Sequence, residues 1–230
     1  ADMKTEAFVS KLGSAFAYRF GEYPVLKWEG GSSAGGAAGG GAVTDTTQPT
    51  TPQDPANASV YSDVASGAWY SEAVKYVTDK NLMNGTGSGK FSPNASTTRG
   101  MIMTILARMS GADTAGSSPW YKKGLDWAVS KKISDGTKPE ADMTREQLAT
   151  MLYRYSGMMG HDTSQGGMAV REYDDFGKIS SYAAEAMAWA VNNQIITGVT
   201  KTELQPQGSA TRAQIATILM RWSKLNEKAQ

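Results

Sequence analysis

Cysteine is absent from the 230-residue chain, and histidine occurs once, at His161. Without cysteine, the chain cannot form a disulfide framework, a thiolate nucleophile or a cysteine-based metal site. A single histidine in a glycine-rich connector argues against a histidine-based triad or metal cluster. Neighbouring carboxylates such as Asp174 and Asp175 are not spread across a cleft as glycosidases require. We therefore expect no enzyme activity, no cofactor and no metal site in this chain.

A strong net charge and long apolar runs are also missing. The 23 basic residues nearly balance the 22 acidic ones, giving a formal net charge of +1. No global field therefore favours nucleic acid or a membrane surface as a partner. No run of about 18 apolar residues is present, so we expect no membrane-spanning helix. No signal peptide is visible at the start, and we interpret the chain as a mature product or a fragment.

The first quarter of the chain has too few large apolar residues to form a core. Residues 1–28 are too short to bury one, and we interpret them as the tail of a missing upstream domain. Within them, apolar spacing predicts a helix over residues 4–16 and a short strand over residues 25–28. Residues 29–58 are rich in Gly, Ala and Ser and then in Thr and Pro, which predicts a flexible linker.

The rest of the chain repeats one pattern three times, at a spacing of about 50–60 residues. Each copy has an aromatic residue, a glycine sixteen positions later, and then a Thr-Arg pair. The aromatic and glycine residues are Trp69 and Gly85, Trp120 and Gly136, and Tyr182 and Gly198. The Thr-Arg pairs are Thr98-Arg99, Thr144-Arg145 and Thr211-Arg212. We place the copies at residues 59–111, 112–157 and 158–230.

Each Thr-Arg pair is followed by apolar residues at positions i, i+3, i+4 and i+7, the spacing of one buried helical face. These residues are Ile102, Ile105, Leu106 and Met109, then Leu148, Met151, Leu152 and Tyr155, and finally Ile215, Ile218, Leu219 and Trp222. One helix–loop–helix unit would expose its apolar face, so we expect the three copies to share one core.

Helix ends can also be predicted from the repeat. Each threonine is expected to cap its helix by accepting a hydrogen bond from a first-turn amide. Gln147 and Gln214 can complete a capping box, whereas Met101 cannot. Each repeat glycine is expected to end the preceding helix by adopting a positive φ.

Two copies begin with an aromatic-x-Asp motif, Tyr61-Ser62-Asp63 and Tyr173-Asp174-Asp175. Together with the aromatic residue, the glycine and the Thr-Arg pair, this arrangement resembles the S-layer homology family. The second copy departs from the family pattern, because it lacks a clear aromatic-x-Asp motif and has a shorter loop. No copy keeps the glutamate that the family has two positions after the arginine, where Met101, Gln147 and Gln214 stand instead.

The resemblance implies an all-α fold, in which three helix–loop–helix repeats form a pseudo-three-fold, three-pronged bundle after the flexible linker. It also implies that grooves between the prongs bind a secondary cell-wall polysaccharide, commonly a pyruvylated one. The chain would then anchor an extracellular surface protein to the wall of a Gram-positive-type bacterium, with residues 1–28 as the tail of an upstream surface domain. The alternative is a helical-repeat module for protein interaction or S-layer self-assembly, with other surface-layer proteins as partners.

The resemblance points first to the three repeat arginines, Arg99, Arg145 and Arg212, as ligand-binding residues. A cation in the first turn of a helix is poorly placed for the helix dipole, which suggests another purpose. Beside free amides at a helix start, it could hold a pyruvyl carboxylate. The alternative is that each arginine pairs with a nearby aspartate or is solvated. If they bind ligand, we expect Arg99→Ala and Arg212→Ala to weaken wall binding without unfolding the protein.

The other candidate ligand-binding residues are aromatic, acidic or glycine. The aromatic residues could pack against sugar C–H groups or serve in the core. The aspartates could accept hydrogen bonds from sugar hydroxyls, cap a helix or pair with a repeat arginine. The glycines could end helices or let the polymer approach the backbone. These candidates are Trp69, Trp120, Tyr182, Asp63, Asp175, Gly85, Gly136 and Gly198.

Overall fold

The computed structural model describes residues 61–164 and 167–227, together with the backbone of two short strands near the N-terminus. The chain divides into two units, residues 1–46 and 47–230. In the first, β1 (Phe16–Ala17) pairs antiparallel with β2 (Val25–Leu26). The predicted strand is thus confirmed for residues 25–26, while Phe16 lies in a strand instead of the predicted helix. The rest of that helix and the predicted linker lie outside the described residues.

Helices build the described part of the second unit, which confirms the predicted all-α class. Its α-helices are α1 (Ser71–Asp79), α2 (Arg99–Met109), α3 (Lys122–Ser130), α4 (Arg145–Met158), α5 (Ala184–Asn192) and α6 (Arg212–Glu227). Three short 3₁₀ helices precede α5, at Ala169–Glu172, Phe176–Lys178 and Ser181–Ala183. Among the described residues, no helix combines the length and apolarity needed to cross a membrane.

Helices from neighbouring copies pack together and close a ring. The second helix of copy one, α2, packs on α3 of copy two, and α4 of copy two packs on α5 of copy three. The last helix, α6, returns to pack on α1 of copy one. We call these three helix pairs prongs. Isolated β-bridges follow the same order, joining Thr98 to Asp142, Thr144 to Ser209 and Ser96 to Thr211. A pseudo-three-fold axis relating the prongs stays a prediction.

The apolar faces predicted from the spacing form the core. All twelve residues of the three faces are under 9% exposed except Met109, which is partly buried against the others. Burying each large apolar side chain stabilises the fold by about 2 kcal/mol. Near the centre, the Tyr155 and Trp222 rings lie 5.4 Å apart, and the Trp222 indole N–H donates to the Ser156 hydroxyl at 2.7 Å.

The predicted caps are present at the start of α2, α4 and α6. Each threonine hydroxyl accepts from the amide three residues later, at 3.3–3.4 Å. The Gln147 and Gln214 side chains also accept from the amides of Thr144 and Thr211, at 3.2 Å each. These reciprocal bonds complete capping boxes on α4 and α6.

The prediction that the repeat glycines end the first helices is wrong. Positive φ angles occur instead at Asn81 (54°), Lys132 (57°) and Gln194 (56°), each two residues after the end of its helix. Gly85 and Gly198 do not adopt positive φ, and Gly136, which does (74°), lies six residues beyond α3. The helices end earlier than expected because non-glycine residues take the left-handed conformation at their C-termini.

Candidate ligand-binding grooves

The aspartate of each aromatic-x-Asp motif holds the inter-helix loop of its own copy. Asp63 and Asp175 each accept from two consecutive backbone amides, at 2.8 Å. The donors are Phe91 and Ser92 in copy one, and Leu204 and Gln205 in copy three. A carboxylate bonded to two amides is strongly held. These side chains therefore fix the loops, and their contact with sugar hydroxyls stays a prediction.

Gly85 and Gly198 make room for the tyrosine of the same motif. A Cβ atom on Gly198 would lie 2.7 Å from a Tyr173 ring carbon and would also overlap the Thr200 carbonyl. A Cβ on Gly85 would lie 2.6 Å from a ring carbon of Tyr61. In copy three the tyrosine hydroxyl also accepts from the Gly198 amide at 3.1 Å. Close packing, rather than helix termination, explains why glycine is needed here.

Gly198→Ala is accordingly expected to lower the free energy of unfolding by about 2 kcal/mol, because the added methyl group overpacks a rigid site. Urea denaturation followed by circular dichroism measures the change. The control is Gly177→Ala, since a Cβ at Gly177 meets nothing within 4 Å. Equal midpoints for the two variants would show that the loop yields freely around Gly198.

The three repeat arginines reach from one copy into the loop of the next, and all are at most 9% exposed. Arg145 donates to the carbonyl oxygens of Leu204 and Thr197, at 2.7 and 2.6 Å. Arg212 makes the equivalent bonds to Phe91 and Asn84, at 2.7 and 2.5 Å. Arg99 donates to the Thr137 carbonyl at 2.9 Å and forms an ion pair with Asp135 at 2.7 Å.

Burial dominates the electrostatics of two of these arginines. It lowers the pKa of Arg145 and of Arg212 to about 10, against the opposing effect of Asp175 near Arg145 and of Tyr61 and Asp63 near Arg212. Both guanidinium groups therefore stay charged at neutral pH. Arg99 and Arg212 bond the loops of adjacent copies, so their alanine variants are expected to lose stability as well as wall binding, in contrast to the expectation from sequence. Ligand contact by the arginines stays a prediction.

A cavity of about 310 Å³ brings together predicted residues from all three copies. Trp69 comes from copy one, Arg145 from copy two, and Gly198 and Arg221 from copy three. The remaining lining residues are Thr197, Val199, Gln214, Thr217 and Ile218. Trp69 is 67% exposed, so its indole face is available to a ligand. We call this cavity the Trp69 groove.

The other two repeat aromatics are less exposed than Trp69. Trp120 is half-buried, although its ring meets Tyr121 edge-on at 5.4 Å much as Trp69 meets Tyr70 at 5.2 Å. Tyr182 is 53% exposed and donates its hydroxyl to Glu146 at 3.0 Å. Burial, followed by the Glu146 carboxylate, raises the pKa of Tyr182 to about 12. Trp69 and Trp120 are therefore alike in chemistry but not in exposure, and Tyr182 differs from both through its bond to Glu146.

Sequence reasoning did not assign a binding role to Arg221. Arg108, Arg154 and Arg221 hold the same position in the three copies, and this repetition could have indicated a shared role for them. In the structure Arg221 lines the Trp69 groove and donates to the Thr197 hydroxyl at 3.1 Å. Glu146 was also missed, because its partners in copy three lie 34 and 36 residues along the chain.

Comparison with known families identifies two segments of the chain. The sequence model of the S-layer homology domain matches residues 60–100 and 172–216. These segments belong to the S-layer homology family. They cover much of copies one and three, while the middle of the chain lies outside both matches. The S-layer homology domain is a cell-wall-binding module rather than a catalytic one.

Curated relatives share the S-layer homology region. The chain is 28% identical over 181 residues to an endoglucanase of Bacillus sp. (strain KSM-635), covering 74% of this chain and 19% of the relative. It is 22% identical over 179 residues to an S-layer protein of Bacillus thuringiensis subsp. finitimus, covering 71% and 21%. An amylopullulanase of Thermoanaerobacterium thermosulfurigenes is 23% identical over 164 residues, covering 66% and 9%. The chain thus spans about a fifth or less of each relative, and the similarity indicates association with the cell surface and wall.

Proposed function

We propose that the chain anchors a surface protein to the wall of a Gram-positive-type bacterium by binding an anionic, pyruvylated wall polysaccharide between its repeats. The Trp69 groove carries this proposal. Its lining combines an exposed indole with two guanidinium groups and includes no carboxylate. An apolar ring beside positive charge suits a sugar that carries an acidic substituent.

Each groove residue would make a different interaction with the polysaccharide. The Trp69 ring would pack against sugar C–H groups. Arg145 is already bonded to two carbonyls, so its charge would attract the anion at longer range. Arg221 uses one terminal nitrogen for Thr197, which leaves other N–H groups for a carboxylate. The aspartates and glycines of the repeats would act by shaping the loops around the ligand.

The proposal is tested by binding the chain to purified wall sacculi before and after removal of the pyruvylated polymer. Trp69→Ala and Arg221→Ala are each expected to weaken binding roughly tenfold, equivalent to about 1.4 kcal/mol. Phe176→Ala is the control, since Phe176 is an exposed aromatic residue outside the groove lining. If the chain binds stripped sacculi as strongly as native ones, the proposal is wrong, and a protein-interaction or S-layer assembly module is favoured.

A further inference from the structure

One buried carboxylate distinguishes the α4/α5 prong from the other two. Glu146, in the first turn of α4, is 4% exposed. Its oxygens accept from the Ser180 amide at 3.0 Å, the Ser180 hydroxyl at 2.8 Å and the Tyr182 hydroxyl at 3.0 Å. The corresponding positions of the other copies hold Gly100 and Ala213, which carry no charge. At this helix position, Tyr182 thus has a buried acid beside it, whereas the positions equivalent to Glu146 in the other two copies carry none.

The placement of Glu146 follows from an exchange of large and small residues between neighbouring helices. In the α2/α3 prong, Tyr121 lies so close to Gly100 that a Cβ there would be 3.1 Å from the tyrosine Cβ. In the α4/α5 prong, Ala183 stands at the position of Tyr121, and Glu146 stands at the position of Gly100. In the α2/α3 prong the large residue is Tyr121 and the small one is Gly100. In the α4/α5 prong the small residue is Ala183, which leaves room for the acidic side chain of Glu146.

The repeat arginine near Tyr182 is also matched by a carboxylate. Arg99 forms an ion pair with Asp135, whose side chain is 63% exposed. Asn84 and Thr197 occupy the position of Asp135 in the other copies and offer only backbone carbonyls to their arginines. No carboxylate in the described part of the chain forms an ion pair with Arg145 or Arg212.

We call the surface formed by Tyr182, Arg99, Arg154, Asp135 and Glu146 the Tyr182 groove, because four of these residues hold the repeat positions of Trp69, Arg145, Arg221 and Thr197, which line the Trp69 groove. Arg154 donates to the Ile133 carbonyl at 3.2 Å, two residues before Asp135, and both arginines oppose the rise in the pKa of Tyr182 that burial and Glu146 cause. Two cations are therefore balanced by two carboxylates. In the Trp69 groove, two arginines line the cavity, and Asp175, which favours the charged form of Arg145, is buried and bonded to loop amides.

We propose that the Tyr182 groove excludes the anionic group that the Trp69 groove holds, and that Asp135 and Glu146 determine this selectivity. An added carboxylate would meet no net positive charge in the Tyr182 groove and would be repelled by two acids nearby. The inference rests on the proposed function, because it assigns the acidic ligand to one groove over another.

The test is a nuclear magnetic resonance titration of the full chain with a methyl hexoside that carries a 4,6-O-pyruvyl ketal. The backbone amide of Gly198 reports on the Trp69 groove. The amides of Tyr182 and of Gly136, which follows Asp135 and holds the repeat position of Gly198, report on the Tyr182 groove. The methyl ester of the same compound is the uncharged control. In the wild-type chain we expect saturable shifts at Gly198 and none at Gly136 or Tyr182.

The double variant Asp135→Asn and Glu146→Gln should gain a second site, with binding at the Tyr182 groove at least about tenfold tighter than in the wild type. Asparagine is the residue that copy one has at this position, and glutamine keeps an acceptor for Ser180. If the double variant does not fold, Asp135→Asn alone changes an exposed residue and should give a smaller gain.

The outcomes separate the two proposals. Equal wild-type affinities at Gly198 and Gly136, or no gain in either variant, would overturn the charge selectivity while leaving polysaccharide binding intact. No shift at any groove at millimolar ligand would overturn the proposed function itself, and the selectivity with it.

Discussion

Deletion of residues 210–230, which removes α6, is expected to abolish folding of the remaining helical unit rather than to shorten it by one helix. α6 is the helix that packs on α1, and Arg212 at its start bonds the loop of copy one. Its four apolar face residues would each forfeit about 2 kcal/mol of burial, a sum comparable to the whole stability of a typical domain. The expected result is loss of the cooperative urea transition and of most helical circular dichroism.

This deletion separates a closed ring from a linear repeat array. In a linear array each repeat contacts only its neighbours, so the copies that remain after a terminal deletion keep their structure. In the ring, the last helix completes the first copy through ion pairs such as Lys224 to Glu72, at 2.7 Å, as well as through the core. A variant lacking only residues 228–230 keeps all of α6 and should unfold like the full chain. A cooperative transition retained after the larger deletion would contradict the ring.

The features that sequence predicted correctly are those set by local spacing. The apolar faces of α2, α4 and α6 and their threonine caps depend on residues within two helical turns, so the repeat revealed them. The pairing of helices between copies could not be predicted from this spacing, because the same apolar spacing is compatible with a ring and with a linear array. The glycine prediction failed for a related reason. Gly198 is needed because Tyr173 packs against it, and Tyr173 is 25 residues away in sequence.

In the candidate site, too, sequence predicted individual residues but not their distant contacts. The exposed Trp69 lies in a groove with Arg145 and Gly198, so three predicted residues do come together. The partners of the arginines could not be predicted, since Arg145 bonds a carbonyl 59 residues away and Arg212 one 121 residues away. A cation in the first turn was correctly recognised as unusual. In the structure, each repeat arginine bonds the loop of an adjacent copy.

Arg145→Ala is expected to lower the free energy of unfolding by about 2–4 kcal/mol, because it leaves one buried and one partly buried carbonyl oxygen without their charged donor. Those oxygens belong to Leu204 and Thr197, which both lie in the inter-helix loop of copy three. Arg145→Lys can satisfy one of them and should recover part of the loss, since lysine lacks the planar fork of arginine. Urea denaturation of the three proteins measures these differences.

Arg221→Ala provides the matched comparison, because Arg221 lines the same groove but bonds only the Thr197 hydroxyl among the described residues. Its free energy of unfolding should change by less than about 0.5 kcal/mol, as for other surface substitutions. Its binding to native sacculi should nevertheless fall, whereas Arg145→Ala should lose both stability and binding. If Arg145→Ala instead unfolds like the wild type and loses only binding, Arg145 is a ligand contact that the fold does not require, as the position of the charge in the sequence first suggested.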